Sequence, residues 1–219
     1  EIGKGIHASM IIIPEMFNKT QITIDKIVRL IISSMIKRRI VGQKFGVVVV
    51  GEGIFHFLQD EDIASSGITF DYDAHGHPEL SEVSKAHVIS KILKNRLKEL
   101  NLDIICRPVE VGYSLRCVDP SAFDLTYCTT LGIGVKKLYD EGHSGCMVAV
   151  NLEEEVIPVY LKDVEDEHGK IRTRLVNIDK EVVRQTLAEN IYYLTAQDRS
   201  LARKWLADPE PFEYERILG

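Results

Sequence analysis

The sequence contains few cysteines and no long apolar run. Its four cysteines are widely spaced without a Cys-x-x-Cys pair, so neither a zinc ribbon nor a disulfide framework is predicted, and we expect reduced thiols at Cys106, Cys117, Cys128 and Cys146. No stretch approaches about 18 uninterrupted apolar residues, and the opening residues lack the apolar core of a secretory signal. We therefore expect a cytoplasmic protein that neither enters a membrane nor is exported.

Concentrated positive charge is also scarce. The formal net charge is -6, and the only dense basic run is Lys37-Arg38-Arg39. Duplex binding needs a concentrated basic face that displaces counterions, so a nucleic-acid-binding protein is disfavoured. The run falls at the predicted C-terminal end of a helix, where cations complement the helix dipole, and we expect it to cap that helix.

The common catalytic motifs are missing. The chain has neither a Gly-x-Ser-x-Gly sequence nor a Gly-x-x-x-x-Gly-Lys-Ser/Thr sequence, and its histidines have no evident acid or nucleophile partner. We predict no complete catalytic set in this chain. The sequence Asp71-x-Asp73-x-His75-x-His77 has alternating carboxylates and imidazoles that suit a metal. Gly76 favours a solvated surface hairpin instead, so no metal site is predicted.

The residues that are present indicate a folded α/β protein. The 219 residues are 45% hydrophobic and 27% charged, enough to bury an ordinary core. An apolar run, Met10–Ile13, predicts a strand, Thr23 caps a helix to about Arg39, and the β-branched run from Gly46 to Gly53 predicts a second strand. We predict an α/β fold with three αβα layers and a mostly parallel sheet.

Further helices and strands are predicted as far as the C-terminus. A polar stretch at about 59–78 is predicted as an insertion, and the further elements are helices at 80–100, 119–140, 179–194 and 198–207 and strands at 147–150 and 157–161. Two divisions follow, an α/β domain at 1–178 and a helical tail at 179–219. The chain does not begin with methionine, so we expect a processed or excised piece of a longer protein.

A possible anion site lies in residues 111–125. Val111, Tyr113 and Leu115 alternate as in a strand, and Asp119-Pro120 predicts the capped start of a helix. Free N–H groups at a helix start attract anions, and Arg116 supplies a planar fork of donors that fits phosphate or carboxylate. This chemistry favours a phosphorylated small molecule. The alternative is an arginine that is solvated or paired with Asp124.

Three further residues are candidates for the same site. Glu15 follows the apolar run and Pro14, at the expected carboxyl end of a parallel strand, where ligands collect in open α/β sheets. Glu52 follows the second strand in the same way, although a structural role is favoured for it. Arg107 lies six residues before Tyr113, in a predicted strand at Ile104–Cys106.

These segments resemble 6-phosphofructokinases. The sequence Gly112-Tyr113-x-x-Arg116-Cys117-x-Asp119-Pro120-x-x-x-Asp124 is similar to the family's Gly-His-x-x-Arg-Gly-Gly-x-Pro-x-x-x-Asp signature. Tyrosine for histidine and Cys-x-Asp-Pro for Gly-Gly-x-Pro look most like the pyrophosphate-dependent branch. Ile13-Pro14-Glu15 is similar to the family's substrate-binding Ile-Pro-Glu, and Arg107 has the spacing of its second phosphate-binding arginine. Gly132 and the Gly142–Gly145 turn also agree. In the predicted helix at 119–140, Gly132 and Gly134 are expected to allow the close approach of a strand.

The resemblance implies roles for four residues. Glu15 would accept hydrogen bonds from the sugar hydroxyls, while Arg116, Tyr113 and a neighbouring subunit's Arg107 would hold the 6-phosphate of fructose 6-phosphate in a homo-oligomer. The whole enzyme would transfer a phosphoryl group from pyrophosphate, favoured over ATP, to the 1-hydroxyl in glycolysis, with Mg²⁺ on the donor.

Three family motifs are missing, namely Gly-Gly-Asp, Thr-Ile-Asp-Asn-Asp and Met-Gly-Arg. In the family they precede the position at which this chain starts, and they hold the phosphoryl donor, the base and part of the sugar. The resemblance therefore implies a C-terminal, sugar-phosphate-binding portion that is inactive alone and leaves Mg²⁺ mainly to the absent part. Two alternatives remain, a non-catalytic sugar-phosphate-binding regulatory module and an unrelated α/β domain.

Overall fold

The structure is a computed structural model that describes residues 2–17, 21–59, 62, 84–151, 153–165, 175–190 and 192–219. Most of the predicted insertion, including the Asp71–His77 hairpin, lies outside the described residues. Contacts group the chain into two compact units, Glu1–Glu110 with Val176–Gly219, and Val111–Leu175. The two units are described separately below, and the functional division at residue 178 stays a prediction.

In the described part of the chain, the helices and strands are short except for three helices. The α-helices are α1 (Ile2–Gly5), α2 (Ile24–Ile40), α3 (Lys85–Glu99), α4 (Tyr113–Arg116), α5 (Ala122–Asp140), α6 (Leu161–Val164), α7 (Glu181–Asn190), α8 (Arg199–Ala202) and α9 (Tyr214–Leu218). The strands are β1 (Met10–Ile12), β2 (Val48–Val50), β3 (Cys146–Val150) and β4 (Val156–Tyr160). Short 3₁₀ helices cover Pro14–Phe17, Glu52–Phe57, Ala196–Asp198 and Glu210–Phe212.

A parallel strand pair organises the first unit. Met10 pairs with Val48 and Ile12 with Val50, so the carboxyl ends of β1 and β2 lie at the same edge. Their apolar sequences suit strands covered by other elements. The described strands of the second unit are antiparallel. The α/β class agrees with these elements, but the predicted three-layer, mostly parallel sheet is not confirmed.

Helix α2 lies at the centre of the first unit. Thr23 caps it by accepting a hydrogen bond from the Lys26 amide at 3.2 Å, as predicted. Its apolar residues recur every three or four positions and are buried, among them Ile27, Leu30, Ile32 and Ile36, each with no exposed surface. Strand β1, helix α3 and the C-terminal segment all contact α2.

The basic run in the last turn of α2 joins other segments to the helix. Its predicted position is confirmed, but its side chains do more than complement the dipole. Each binds a different segment: Lys37 pairs with Asp198 at 2.7 Å, Arg38 donates to the Phe45 carbonyl at 2.7 Å, and Arg39 donates to the Asp103 carbonyl at 3.0 Å. Arg38 also lies over the Phe45 and Tyr192 rings, 5.6 Å and 5.0 Å from their centroids.

The C-terminal segment packs against α2. The Leu194 amide donates to the buried Ser33 hydroxyl at 2.8 Å, and the Tyr214 amide donates to the Leu194 carbonyl at 2.9 Å. The Tyr193 and Tyr214 rings stack with their centroids 4.1 Å apart. The predicted helices at 179–194 and 198–207 are shorter than expected, at Glu181–Asn190 and Arg199–Ala202. The last residues pack, since Ile217 is buried.

The second unit consists of an antiparallel hairpin and a long helix. Strands β3 and β4 pair from Cys146 with Tyr160 to Val150 with Val156, within a residue or so of the predicted strands. Helix α5 packs on this hairpin at Gly134, where an added Cβ would lie 2.7 Å from a Val148 methyl carbon. The predicted close approach at Gly134 is confirmed. At Gly132 an added Cβ would have no described neighbour within 4 Å, so that part of the prediction was wrong.

Two predictions near residue 115 were wrong. Tyr113–Arg116 is a helical turn rather than the end of a strand. Helix α5 begins at Ala122 with Ser121 as its N-cap, so Asp119 does not cap it. In the first unit the predicted Ile104–Cys106 strand is not assigned either, although exposure alternates along it, with Ile104 and Cys106 half-buried and Ile105 exposed.

Candidate functional site

Glu15 lies at the carboxyl edge of the parallel strand pair. Strand β1 ends at Ile12, and the Pro14–Phe17 turn places Glu15 directly beyond it. Its Oε1 atom accepts a hydrogen bond from the Val176 amide at 2.8 Å. This bond orients a half-buried carboxylate, which as an acceptor-only group suits the hydroxyls of a sugar ring.

Glu52 occupies the equivalent place after β2. It begins the turn that follows the strand, and its Oε1 atom pairs with the Lys85 ammonium at 2.5 Å. Because β1 and β2 are parallel neighbours, Glu15 and Glu52 follow strand ends at the same edge. Sequence reasoning favoured a structural role for Glu52, which this ion pair supports, but it missed Lys85. No local pattern marks Lys85, since its pairing depends on where α3 begins.

Arg107 lies on a segment that is held on both sides. The Arg39 guanidinium donates to the Asp103 carbonyl at 3.0 Å, and the Glu110 Oε1 atom accepts from the Ala86 amide at 3.1 Å. Partial burial opposes ionisation of Glu110, but hydrogen bonds led by that from Ala86 outweigh it and lower the pKa of the carboxyl. The Arg107 side chain is exposed on this segment.

Tyr113 and Arg116 lie one turn apart in α4. The Arg116 amide donates to the Gly112 carbonyl at 3.3 Å, which closes the turn. The Arg116 guanidinium is exposed, and the side chain of Tyr113 lies outside the described part of the structure. The predicted strand is thus replaced by a helical turn that contains both residues.

The start of α5 already contains a carboxylate. Ser121 and Asp124 form a reciprocal capping box: the Asp124 Oδ2 atom accepts from the Ser121 amide at 2.8 Å and from the Ser121 hydroxyl at 2.6 Å. The hydrogen bond from the Ser121 hydroxyl and that from its amide lower the pKa of Asp124. The Ser-x-x-Asp spacing is a known capping signal and would have identified Ser121 from the sequence. The predicted anion site is therefore left with Arg116 rather than the helix start.

The four predicted substrate residues divide between the two units. Glu15 and Arg107 belong to the first unit, and Tyr113 and Arg116 belong to the second. Their union in one pocket stays a prediction. Among the described residues, no group of three His, Cys, Asp or Glu side chains converges as a metal site would require. None of the helices in the described ranges has the length and apolar content to span a bilayer.

Comparisons with known proteins give a consistent result. No family model matches the chain. It is 31% identical over 189 residues to the pyrophosphate–fructose 6-phosphate 1-phosphotransferase of Naegleria fowleri, covering 82% of this chain and 43% of that protein. It is 29% identical over 214 residues to the enzyme of that name from Thermotoga maritima, covering 95% of this chain and 49% of that protein.

A plant protein also matches more distantly. The subunit beta 2 of the phosphotransferase of that name from Arabidopsis thaliana is 21% identical over 225 residues, which cover 78% of this chain and 40% of that protein.

The chain is thus related to the 6-phosphofructokinases, and the predicted resemblance is confirmed. Within that family its relatives are the pyrophosphate-dependent phosphotransferases, and the matches are consistent with a C-terminal portion. The chain spans about half the length of the curated relatives it matches.

Proposed function

We propose that this chain is the fructose 6-phosphate-binding portion of a pyrophosphate-dependent phosphofructokinase. The observation that carries the proposal is Glu15 at the carboxyl edge of β1 and β2, oriented by the Val176 amide, in a chain related to these enzymes over most of its length. Ligands of open α/β sheets collect at this edge. The longer protein would transfer a phosphoryl group to the 1-hydroxyl of the sugar in cytoplasmic glycolysis.

Each predicted residue has a chemical role in this proposal. Glu15 accepts hydrogen bonds from the ring hydroxyls and so fixes the direction of the sugar. Arg116 binds the 6-phosphate through two parallel N–H donors, and Tyr113, three residues earlier in the same helical turn, adds a hydroxyl donor. Arg107, exposed on its fixed segment, binds the 6-phosphate in a neighbouring subunit of a homo-oligomer.

In this proposal, donor binding and the other requirements of phosphoryl transfer are supplied by the part of the enzyme that this chain does not contain. Such reactions depend on alignment of donor and acceptor and on neutralisation of the charge of the transferring group. Mg²⁺ bound with pyrophosphate supplies that neutralisation, and the donor-binding motifs are missing from this sequence. The residues here therefore hold and orient the acceptor, and the chain alone has no turnover.

Calorimetry with fructose 6-phosphate tests the binding role. Arg116→Ala is expected to weaken binding by about tenfold or more, because a charged hydrogen bond contributes about 1.5–3 kcal/mol. Arg203→Ala, which removes another exposed arginine, is the control and should leave affinity unchanged. Equal affinities for both variants would contradict the assignment of Arg116.

A second assay tests the division of labour. The purified 219-residue chain is incubated with fructose 6-phosphate, pyrophosphate and Mg²⁺, and formation of the bisphosphate is measured. No product is expected. Measurable turnover would show that donor binding and catalysis reside in this chain.

A further inference from the structure

The second half of α3 borders an open groove with a volume of about 290 Å³. Three lysines of the helix, Lys91, Lys94 and Lys98, line this groove together with residues 102–104, which follow the helix. The lysines are three and four residues apart, so they share one face of α3. We call this cavity the lysine groove.

The positive charge of the lysine groove exceeds the negative charge of its other lining residues. Among the described residues, neither Lys94 nor Lys98 has a hydrogen-bond or ion-pair partner. Asp103 is the one acidic residue that lines the groove in the described part of the chain. The Arg39 guanidinium, which donates to the Asp103 carbonyl at 3.0 Å, adds another cation nearby. Like charges three or four residues apart destabilise a helix, so a bound anion would stabilise this one.

The rest of the lining combines apolar surface with one amide. Leu97 and Leu102 are buried, Ile104 is half-buried, and the exposed Asn95 side chain supplies both a donor and an acceptor. Apolar surface beside the ammonium groups lowers the local dielectric constant and so strengthens their attraction for an anion. The volume is close to the lower end of the range of small-molecule sites, about 300–1,000 Å³.

The lysine groove is separate from the proposed sugar site. Lys85, the first residue of α3, pairs with Glu52 at the edge of the parallel strands. Lys94 and Lys98 lie nine and thirteen residues further along the helix. At about 1.5 Å per residue, they are roughly 14–20 Å along the helix axis from Lys85. A ligand held by these two lysines would therefore occupy a second site.

We propose that the lysine groove binds an anion of two or more linked phosphate groups, at a site distinct from that for the sugar phosphate. Each lysine ammonium is a compact charge with three donors, which suits phosphate oxygens in several orientations. The three lysines extend over about 10 Å of helix, more than one phosphate group spans, whereas linked phosphates reach along the row. Inorganic pyrophosphate and nucleoside diphosphates share this chemistry.

Calorimetric titration with inorganic pyrophosphate tests the proposal. The 219-residue chain is used with Arg116→Ala, which removes the arginine of the proposed sugar-phosphate site. Adding Lys94→Gln and Lys98→Gln is expected to weaken binding by about tenfold or more at low ionic strength, because two charged donors are lost. The matched control adds Lys180→Gln and Lys204→Gln instead, which changes the net charge equally at two exposed lysines and should leave the affinity unchanged.

Three results would overturn the proposal. The first is the absence of pyrophosphate binding by the Arg116→Ala chain at millimolar concentrations. The second is equal weakening by the two pairs of substitutions, since the attraction would then depend on net charge alone. The third is an affinity for orthophosphate equal to that for pyrophosphate, because a single phosphate would then suffice. Failure of the chain to bind fructose 6-phosphate would reject the proposed function and leave this titration unaffected.

Titration with ADP distinguishes the two sources of linked phosphates. Tighter binding of ADP than of pyrophosphate, lost with Lys94→Gln and Lys98→Gln, would assign the groove to a nucleotide whose apolar part contacts Leu102 and Ile104. Equal affinities would assign it to the linked phosphates alone. Both results support a site for linked phosphates, and insensitivity of both affinities to the two lysine substitutions would contradict it.

The thiol of Cys106 gives a local readout of the same site. Burial raises the pKa of this thiol, and the neighbouring Lys94 ammonium opposes the rise. An anion bound at Lys94 should raise the pKa further, so alkylation of Cys106 at fixed pH should slow when pyrophosphate is added. An unchanged rate at saturating pyrophosphate would place the anion elsewhere and overturn the proposal. The measurement uses a chain with three substitutions, Cys117→Ser, Cys128→Ser and Cys146→Ser.

Discussion

Substitution by alanine is expected to have opposite effects at two adjacent serines in α2. Ser33 and Ser34 are 0% and 1% exposed. The Ser33 hydroxyl accepts the hydrogen bond of the Leu194 amide at 2.8 Å, whereas the Ser34 hydroxyl has no hydrogen-bond partner among the described residues. We expect Ser33→Ala to destabilise the chain, because it leaves a buried N–H group unsatisfied. Ser34→Ala removes an unpaired buried hydroxyl.

The expected magnitude follows from the two environments. An unsatisfied buried donor costs about 1–3 kcal/mol. Alanine favours a helix interior over serine by up to about 0.7 kcal/mol, and this gain is the same at both positions. Ser33→Ala should therefore lower the free energy of unfolding by about 0.3–3 kcal/mol, and Ser34→Ala should raise it slightly or leave it unchanged.

Urea unfolding followed by tryptophan fluorescence measures this difference. The only tryptophan, Trp205, lies in the C-terminal segment that the Ser33 bond attaches to α2. The corresponding change in melting temperature is about 2–4 °C for each kcal/mol in a chain of this size. Equal stability of the two variants would refute the role assigned to the Ser33–Leu194 hydrogen bond.

The remaining predictions concern packing and pH. Gly134→Ala should destabilise the second unit by about 1–3 kcal/mol through contact with Val148, whereas Gly132→Ala should stabilise it by up to about 1 kcal/mol in thermal unfolding. Burial opposes ionisation of Asp198, but hydrogen bonds led by that from Lys37 lower the pKa of its carboxyl below the ordinary 3.8. Its contribution to stability is complete above that value and is lost as pH falls through the lowered pKa. Asp198→Asn should remove this loss of stability at acidic pH when the free energy of unfolding is measured as a function of pH. An unchanged pH profile would contradict the contribution assigned to Asp198.

Local sequence patterns were sufficient for the longer elements. Helix α2 was predicted with its Thr23 cap, and β3 and β4 were predicted within a residue or so. Periodicity and capping are properties of neighbouring residues, so they can be read without the fold. The error at Asp119 also has a local cause, because Asp119-Pro120 competes as a helix start with the Ser121–Asp124 capping box two residues later.

The candidate site was predictable only in part. The Ile13-Pro14-Glu15 sequence indicated a carboxylate at a strand end, and the structure places Glu15 there. The Val176 amide that orients this carboxylate is 161 residues away in the chain, and the partner of Glu52 is Lys85, 33 residues away. No local pattern specifies such pairs, because each depends on how distant segments pack.

The sequence by itself determined the family resemblance, the α2 helix and the residues chosen for sugar-phosphate binding. Tertiary structure alone decided that the basic run joins three segments to α2, that β1 and β2 bring Glu15 and Glu52 to one edge, and that Gly134 rather than Gly132 contacts the hairpin. The physical reason is the distance along the chain over which each kind of interaction acts. Helix capping and periodicity act over a few residues, whereas ion pairs, strand register and close packing join residues that are distant in the chain.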